Sequence, residues 1–401
     1  MDKRINSKLR LSIPHNWQKD LFEGIDLSRV GEFYGKLEED IVGGGRASNI
    51  STPVTRGLVK REIRKIHSKG IKFNYLLNSS CLDNQELSVS LQKKLLKLLD
   101  WLKDSGVDSV TVTLPFILEF IKANYHDFKI NVSTMAHVDT PDKAKFWEDS
   151  GAAKITLSEI TVNRNFSLIE KIRKSVRCEL QLIANNGCLF NCPFTFSHGL
   201  LCSHASQTGH VLSGFAIDFY RIMCTSLRIK DPANFIRADW IRPEDLSFYE
   251  DLGINSIKIV NRGMSTQAIK RIVDAYTIES YEGNLLDLLP GPSKNISIKK
   301  MNPIRLMRYF FRPQLFNIFE LNSIRSIFND GFIYVDNRTL NGFLPSLQDK
   351  GCGINACGNC NFCKETADRV VKIDPNRIAQ AEKEAGALVD KLVSGEFFHY
   401  F

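Results

Sequence analysis

The sequence lacks the long apolar runs that mark a membrane protein. None of its stretches reaches the roughly 18 consecutive apolar residues that a bilayer span needs. The first residues, MDKRINSKLRLSIP, are basic, but no apolar core follows them, so they do not resemble a secretory signal. We therefore expect a cytoplasmic protein with no membrane span.

Two common hydrolase signatures are also missing. The chain contains neither a G-x-S-x-G elbow nor an H-E-x-x-H helix. A peptidase of this sequence would have to use a cysteine or histidine nucleophile instead. The formal charge of +8 is modest for 401 residues, so it permits an anionic partner without requiring one.

Short apolar runs rich in β-branched residues alternate with amphipathic segments such as Gln92–Ser105 and Thr140–Ser150. The runs are Leu9–Ile13, Arg29–Tyr34, Phe73–Leu77, Ser109–Leu114, Ile130–Thr134, Ala153–Leu157, Glu179–Ala184 and Ser256–Val260. Alternation of this kind predicts a parallel sheet covered by helices. Eight units within about 280 residues predict an α/β fold, a TIM-like (β/α)8 barrel, with a doubly wound open sheet as the alternative.

The phrases DSGVDSVTV, DSGAAKITL and DLGINSIKI each predict a helix that ends at a glycine and leads into a strand. After Tyr281 the character of the sequence changes. A linker-like stretch, LLPGPSKNISIKK, precedes a basic and aromatic segment, Met301–Ile318, and a final helix is predicted over Pro375–Leu392. We predict a barrel domain over residues 1–284 and a Cys-rich C-terminal extension over 285–401.

The chain has ten cysteines, and in a reducing compartment their clustering indicates metal binding or catalysis. Cys188 and Cys192 follow the seventh predicted strand, in the loops that form barrel active sites, and Cys202 and Cys224 come after them. Thiolates suit zinc or an iron–sulfur cluster, and a C-x3-C spacing is less typical of structural zinc. Cys178, at the start of the strand, has the features of a buried apolar cysteine.

A second cysteine group lies in the extension, within GCGINACGNCNFC. Its members are Cys352, Cys357, Cys360 and Cys363. The C-x2-C-x2-C run matches bacterial ferredoxin spacing, and a four-cysteine zinc site is the alternative. We therefore predict one or two 4Fe-4S clusters, and a site that shares cysteines from both groups stays open.

Polar residues near the predicted strand ends are candidates for chemistry. His198 and His204 follow the C-x3-C motif and are candidate acids, bases or cluster contacts. Glu159 and His137 follow the sixth and fifth strands, so both are expected to face the pocket. The candidate binding residues for an anionic substrate or donor are Gly43, Gly44, Gly45, Arg46, Lys258 and Arg262. Three glycines beside an arginine predict an anion cradle, and basic residues at the eighth strand suit a phosphate-type site.

Three tracts resemble peptidase family U32, the collagenase-like proteases, which are related to the UbiU and UbiV proteins. They are YGKLEEDIVGGGR, IANNGCLFNCPFTFSH and FIRADWIRPEDLSFYEDLGINSIKIVNRG, and the likeness spans residues 8–285. The resemblance implies a TIM-like barrel and a 4Fe-4S cluster on four cysteines. It matches Cys188, Cys192 and Cys224 to the cluster loop and leaves Cys202, Cys178 or a tail cysteine as the fourth ligand.

The resemblance also implies oxygen-independent hydroxylation in some branches, with prephenate as oxygen donor in the ubiquinone and RNA-modifying ones. The peptidase-like branch has a Glu–His–Gly phrase that ELQLIANNGC does not repeat. Our leading hypothesis is thus an iron–sulfur enzyme that hydroxylates or otherwise modifies a small molecule, peptide or RNA. The alternatives are a collagenase-like peptidase and an RNA-binding scaffold with a structural metal. An electron-donor protein is a further expected partner.

Overall fold

A computed structural model describes residues 8–214, 216–290, 332–352, 357 and 360–398. The predicted segment Met301–Ile318 and most of the linker before it lie outside these residues. In the described part of the chain, no helix is both long and apolar enough to cross a bilayer.

Eight parallel strands close into a barrel, in which each strand pairs with the next and β8 pairs with β1. They are β1 Arg10–Pro14, β2 Val30–Gly35, β3 Lys72–Leu77, β4 Ser109–Val112, β5 Lys129–Val132, β6 Lys154–Thr156, β7 Glu179–Ile183 and β8 Ser256–Lys258. The TIM-like prediction is confirmed, because every predicted strand is present with bounds shifted by at most two residues.

Helices surround the barrel and continue into the extension. They are α1 Arg56–His67, α2 Val89–Asp104, α3 Pro115–Asn124, α4 Pro141–Asp149, α5 Phe166–Ser175, α6 Thr195–His204, α7 Phe219–Lys230, α8 Ala233–Arg237, α9 Leu246–Asp251, α10 Thr266–Ile278, α11 Phe343–Asp349, α12 Phe362–Val370 and α13 Pro375–Ser394. The three predicted helix-ending glycines, Gly106, Gly151 and Gly253, have positive φ, as a left-handed helix end requires.

The interior of the barrel holds a network of polar side chains that hydrogen-bond to one another. Lys154 Nζ lies 2.8 Å from Glu32 Oε2, and the Ser12 hydroxyl donates to Glu32 Oε1 at 2.6 Å. The Thr156 hydroxyl donates to Gln181 Oε1, and Gln181 Nε2 donates to Ser256 Oγ. Apolar packing therefore lies mainly between the strands and the helices, where one continuous hydrophobic cluster covers the barrel wall.

The described part of the extension packs on the barrel. Strands β9 Ile333–Val335 and β10 Val371–Ile373 form an antiparallel pair, and side chains of β9, α11 and α12 belong to the same hydrophobic cluster as the barrel. Buried Arg242 donates to the side chain of Asn337 and to the Leu340 carbonyl. Helix α12 packs on α8, and α13 packs on α7. The predicted boundary between residues 284 and 285 stays a prediction.

Candidate active site at the barrel mouth

The loop after β7 is fixed by two asparagines. Asn185 Oδ1 accepts from the Val260 amide at 2.8 Å, and Asn185 Nδ2 donates to the Leu288 carbonyl at 3.1 Å. Asn186 Oδ1 accepts from the Cys188 amide at 2.8 Å. The sequence NNGC therefore turns sharply at the carboxyl end of the barrel and places Cys188 at its mouth.

Three thiols gather at this point. Cys188 and Cys192 come from the β7 loop and Cys224 from α7, and ionisation of any one opposes ionisation of its neighbours. Burial raises the pKa of Cys188 well above its usual range, and Glu159 raises it further. Arg228, one turn after Cys224 on α7, lowers the pKa of Cys188 and of Cys192. The group thus combines three thiols with one guanidinium.

The spacing of the three thiols does not match that around a single zinc ion. Around a tetrahedral zinc with bonds of about 2.3 Å, sulfur atoms stand about 3.8 Å apart. In the described residues, these three thiols do not all lie within 4.8 Å of one another. A cluster is larger than one ion and needs thiolates that stand further apart.

Cys202 lies in a different group, with His198 and Asp218. His198 Nε2 is 2.9 Å from Asp218 Oδ2, and a ligand atom from each of the three side chains lies within 4.8 Å of the other two. Burial alone would lower the pKa of His198, but hydrogen bonding to Asp218 and Cys202 raises it to about 11. His198 and Cys202 share one face of α6 because they are four residues apart.

His204, predicted as a second acid or base, stacks on His210. The ring centroids are 4.3 Å apart with planes inclined by 19°, and Asp83 lies beside them. His210 Nδ1 already accepts from the Leu212 amide, and His204 Nε2 is buried without a hydrogen-bond partner. Asp83, His204 and His210 each offer a ligand atom within 4.8 Å of the other two, so this group has the spacing that a bound metal ion needs.

Glu159 is placed at the mouth, as its position after β6 predicts. The Thr134 hydroxyl donates to its carboxylate, and burial raises the pKa of Glu159 to about 7, against the lowering effect of Lys258. His137 lies nearby in the β5 loop with its ring 4.7 Å from that of Phe196, and burial lowers its pKa. Glu159 is therefore a group that can exchange a proton near neutral pH.

The Gly43–Gly45 loop is not an open cradle. The Gly43 amide donates to Asp40 Oδ1 at 2.7 Å, and the Gly44 amide donates to Ser206 Oγ at 2.9 Å. A Cβ on Gly43 would lie 2.6 Å from the Ser203 carbonyl oxygen, so the loop needs glycine to pack against the end of α6. Two of the three predicted amide donors are therefore used inside the protein.

The arginine of that loop has a different environment. Burial, together with the like charge of Arg262, lowers the pKa of Arg46 to about 9. Lys258 lies 4.3 Å above the ring of Tyr34, and burial lowers its pKa to about 8. Neither Arg46, Arg262 nor Lys258 forms a salt bridge with a carboxylate in the described part of the chain, unlike Lys36, which lies 3.0 Å from Asp40. The mouth therefore has unbalanced positive charge.

The tail cysteines form a separate group. The charged neighbours that shift the pKa values of Cys352 and Cys363 are other tail thiols, Arg164, Arg237 and Asp239, and the thiols at the mouth are not among them. Cys178 lies at the amino end of β7, where its amide donates to Glu148, so it is at the opposite end of the strand from Cys188. The described residues thus bring the tail and mouth thiols into two sites.

Sequence reasoning missed Arg228 and Asp218. Arg228 could have been found from its spacing, because it follows Cys224 by one helical turn. Asp218 caps the N-terminus of α7 and accepts from the Arg221 amide at 3.0 Å, a pattern of the kind that Asp before a helix predicts. Its contact with His198 had no signal in the sequence.

Comparisons with known proteins agree on one family. A family model described as "Peptidase family U32" matches residues 46–282. The "Uncharacterized protease MJ1657" of Methanocaldococcus jannaschii is 32% identical over 339 residues, which cover 83% of this chain and 87% of that protein. A solved structure named "The Structure of the U32 Peptidase Mk0906" is 25% identical, covers 63% of this chain and 92% of its own, and has a TM-score of 0.48.

Proposed function

The chain belongs to peptidase family U32, and from this membership we propose that it is an enzyme that holds an iron–sulfur cluster through Cys188, Cys192 and Cys224. The observation that carries the proposal is the convergence of these thiols, from a loop and a helix, at the carboxyl end of a TIM-like barrel. Barrel enzymes place their chemistry at this end.

The residues around the thiols suit a charged cofactor. Thiolates carry negative charge, and Arg228 lies close enough to offset it. When bound, an iron–sulfur cluster would supply one-electron chemistry. Cys188, Cys192 and Cys224 would hold it, while Cys202 pairs with His198 and Asp218.

The substrate or oxygen donor is an anion. Arg46, Arg262 and Lys258 supply positive charge without carboxylate partners, and charged hydrogen bonds to an anion are among the stronger interactions that a pocket can offer. Glu159 would hold or release the proton that the reaction moves. We propose oxygen-independent hydroxylation, or a related redox modification, as the reaction.

The test compares two cysteines of the same strand and loop. After anaerobic purification we expect Cys192→Ala to lose the iron and sulfide of the mouth cluster and its EPR signal, because a ligand is removed. The matched control is Cys178→Ala, at the other end of β7, which should keep both. Equal iron content and unchanged signals in the two variants would contradict the proposal.

A second candidate function is a thiol peptidase, which the His198–Asp218 contact and the grouping with Cys202 favour. The Cys202 sulfur would attack the peptide carbonyl, His198 would give a proton to the leaving amine as the C–N bond breaks, and water would hydrolyse the thioester. Cys202 is only 8% exposed, which is why we rank this function second.

The two functions separate cleanly by mutation. A peptidase of this kind would cleave peptides in metal-free preparations, lose activity in Cys202→Ser and keep it in Cys192→Ala. If the protein is an iron–sulfur enzyme, Cys192→Ala should lose activity, and the metal-free protein should not cleave peptides.

A further inference from the structure

A buried arginine outside the mouth lacks partners for most of its guanidinium. Arg164 is 3% exposed, and Nη1 donates to the Ile236 carbonyl at 2.6 Å, while Nε and Nη2 have no hydrogen-bond partner. The guanidinium lies 4.3 Å from the ring centroid of Trp240 and 5.2 Å from that of Phe343. A buried cation with free donors indicates a missing anionic partner.

The nearest carboxylate does not fill that role. Asp239 Oδ1 is 3.9 Å from Arg164 Nε, which is too long for a hydrogen bond. Both carboxylate oxygens of Asp239 are buried without partners, and burial raises the pKa of Asp239 to about 7, although Arg164 lowers it. Arg164 Nε and Nη2 therefore remain donors that Asp239 does not use.

The tail thiols lie beside this charge. Helix α12, which contains Cys363, packs on α8, and the Ile236 carbonyl of α8 accepts from Arg164 Nη1. Burial raises the pKa of Cys352 to about 11, and Arg164 acts to lower it. Cys363 has the same pattern, with Arg237 as a second cation. Cys357 and Cys360 are exposed. One half of the cysteine group thus faces Arg164, and the other half faces solvent.

An aromatic stack holds the cysteine motif against the barrel. Phe362, directly before Cys363, stacks on Phe343 at 5.6 Å with planes inclined by 12°, and Phe343 stacks on Trp240 at 5.4 Å. Trp240 is followed by Ile241, whose amide donates to the Ala184 carbonyl just beyond β7. The motif is therefore fixed to the barrel wall rather than carried on a free tail.

We propose that Cys352, Cys357, Cys360 and Cys363 bind a second iron–sulfur cluster, with Arg164 as its buried counter-charge. The four thiolates make such a centre negative, and Arg164 offers the free donors that sulfur ligands accept. Four thiolates also suit zinc, but the C-x2-C-x2-C run from Cys357 to Cys363 has ferredoxin spacing, which favours a cluster. The exposed Cys357 and Cys360 would face an external one-electron donor protein, which would supply the electron that reduces a bound cluster.

If Arg164 is a counter-charge to the cluster, its effect on the reduction potential must have a definite direction. Reduction adds one negative charge to the cluster, so a nearby cation stabilises the reduced form and raises the potential. In Cys192→Ala protein, where only the tail centre would remain, Arg164→Gln should shift the EPR-monitored potential to a more negative value. Arg164→Lys should keep it closer to that of the parent, and Arg338→Gln, an exposed arginine of the extension paired with Glu282, should leave it unchanged.

The experiment uses full-length protein purified anaerobically, with iron, sulfide and zinc measured beside the EPR titration. Cys360→Ala should lose one set of iron and one EPR signal while the mouth signal persists, a result that does not depend on Arg164 variants folding. Stoichiometric zinc bound through the tail, or an unchanged potential in Arg164→Gln, would overturn the inference. Failure of the mouth cluster is distinct, because Cys192→Ala would then keep all of the iron.

Discussion

The polar interior of the barrel and the polar mouth above it contain the same kinds of charged residue. The charges of the interior are paired, whereas the arginines of the mouth have no carboxylate partner in the described residues. In the interior, Glu32 is bound by both Lys154 and Ser12, at distances of 2.8 and 2.6 Å. At the mouth, the like charge of Arg262 lowers the pKa of Arg46, and the described residues give neither of them a carboxylate salt bridge. The interior is complete without a ligand, whereas the mouth is not.

Because of this difference, effects on folding stability and effects on anion binding can be measured separately in the two regions. A paired buried charge mainly affects folding, because removal of one partner leaves the other desolvated. An unpaired buried charge is costly to the free protein and becomes favourable only when an anion arrives. Mutations in the two regions should therefore have different consequences.

The largest effect should come from the interior. Lys154→Ala leaves Glu32 buried with only the Ser12 hydroxyl, so we expect unfolding free energy to fall by about 3–5 kcal/mol. Urea denaturation measures this, and the double variant with Glu32→Ala should recover part of the loss. A loss of anion binding without a loss of stability in Lys154→Ala would break the distinction between the two regions.

Arg262→Gln should show the opposite behaviour. Because a hydrogen bond to a charged group contributes about 1.5–3 kcal/mol, the affinity for a small dianion should fall roughly ten- to a hundredfold. Stability should stay the same or rise, because Arg46 loses a like-charged neighbour. Calorimetric titration with inorganic phosphate and with malonate measures the affinity, and Arg338→Gln is the exposed control. Unweakened binding would show that the anion lies elsewhere.

The pH dependence of anion binding should follow Glu159. Its pKa is raised to about 7, so the carboxyl is neutral below that pH and adds a negative charge to the mouth above it. Anion affinity should therefore fall as pH rises through about 7, by less than the Arg262 effect. In Glu159→Gln this fall should flatten. A wild-type profile that is already flat, with phosphate ionisation corrected for, would contradict the assignment.

The smallest effect should come from the rim. Phe196 is 68% exposed at the edge of the mouth. In the described residues, the only aromatic ring that it contacts is that of His137. Phe196→Ser should change the unfolding free energy by less than about 0.5 kcal/mol. Thermal denaturation measures it, and a large loss would mean that the rim is part of the packed structure.

The barrel could be predicted from the sequence because its signals are local. Each strand is a short apolar run, and glycines such as Gly106 mark where a helix gives way to the next strand. The partition of the cysteines could not be predicted, because it depends on how α6 and α7 lie at the mouth. His198 and Cys202 had the right spacing to share a helical face, but Arg164 lies far along the chain from the cysteines of the tail.

The glycine loop shows a different limit. Three consecutive glycines beside Arg46 have the same appearance in sequence whether their amides are free or bonded. Only the fold shows that Asp40 accepts from the Gly43 amide, and that the Ser206 hydroxyl accepts from the Gly44 amide and donates to the Gly44 carbonyl. Patterns identify the residue types that a site needs, whereas the availability of each group depends on contacts between distant segments.

The iron and sulfide content of the wild-type protein after strictly anaerobic purification tests the central claim most directly. We expect a brown protein with stoichiometric iron and sulfide that bleaches in air, and whose mouth signal disappears with Cys192→Ala. A colourless protein that carries stoichiometric zinc and no iron under the same conditions would contradict it.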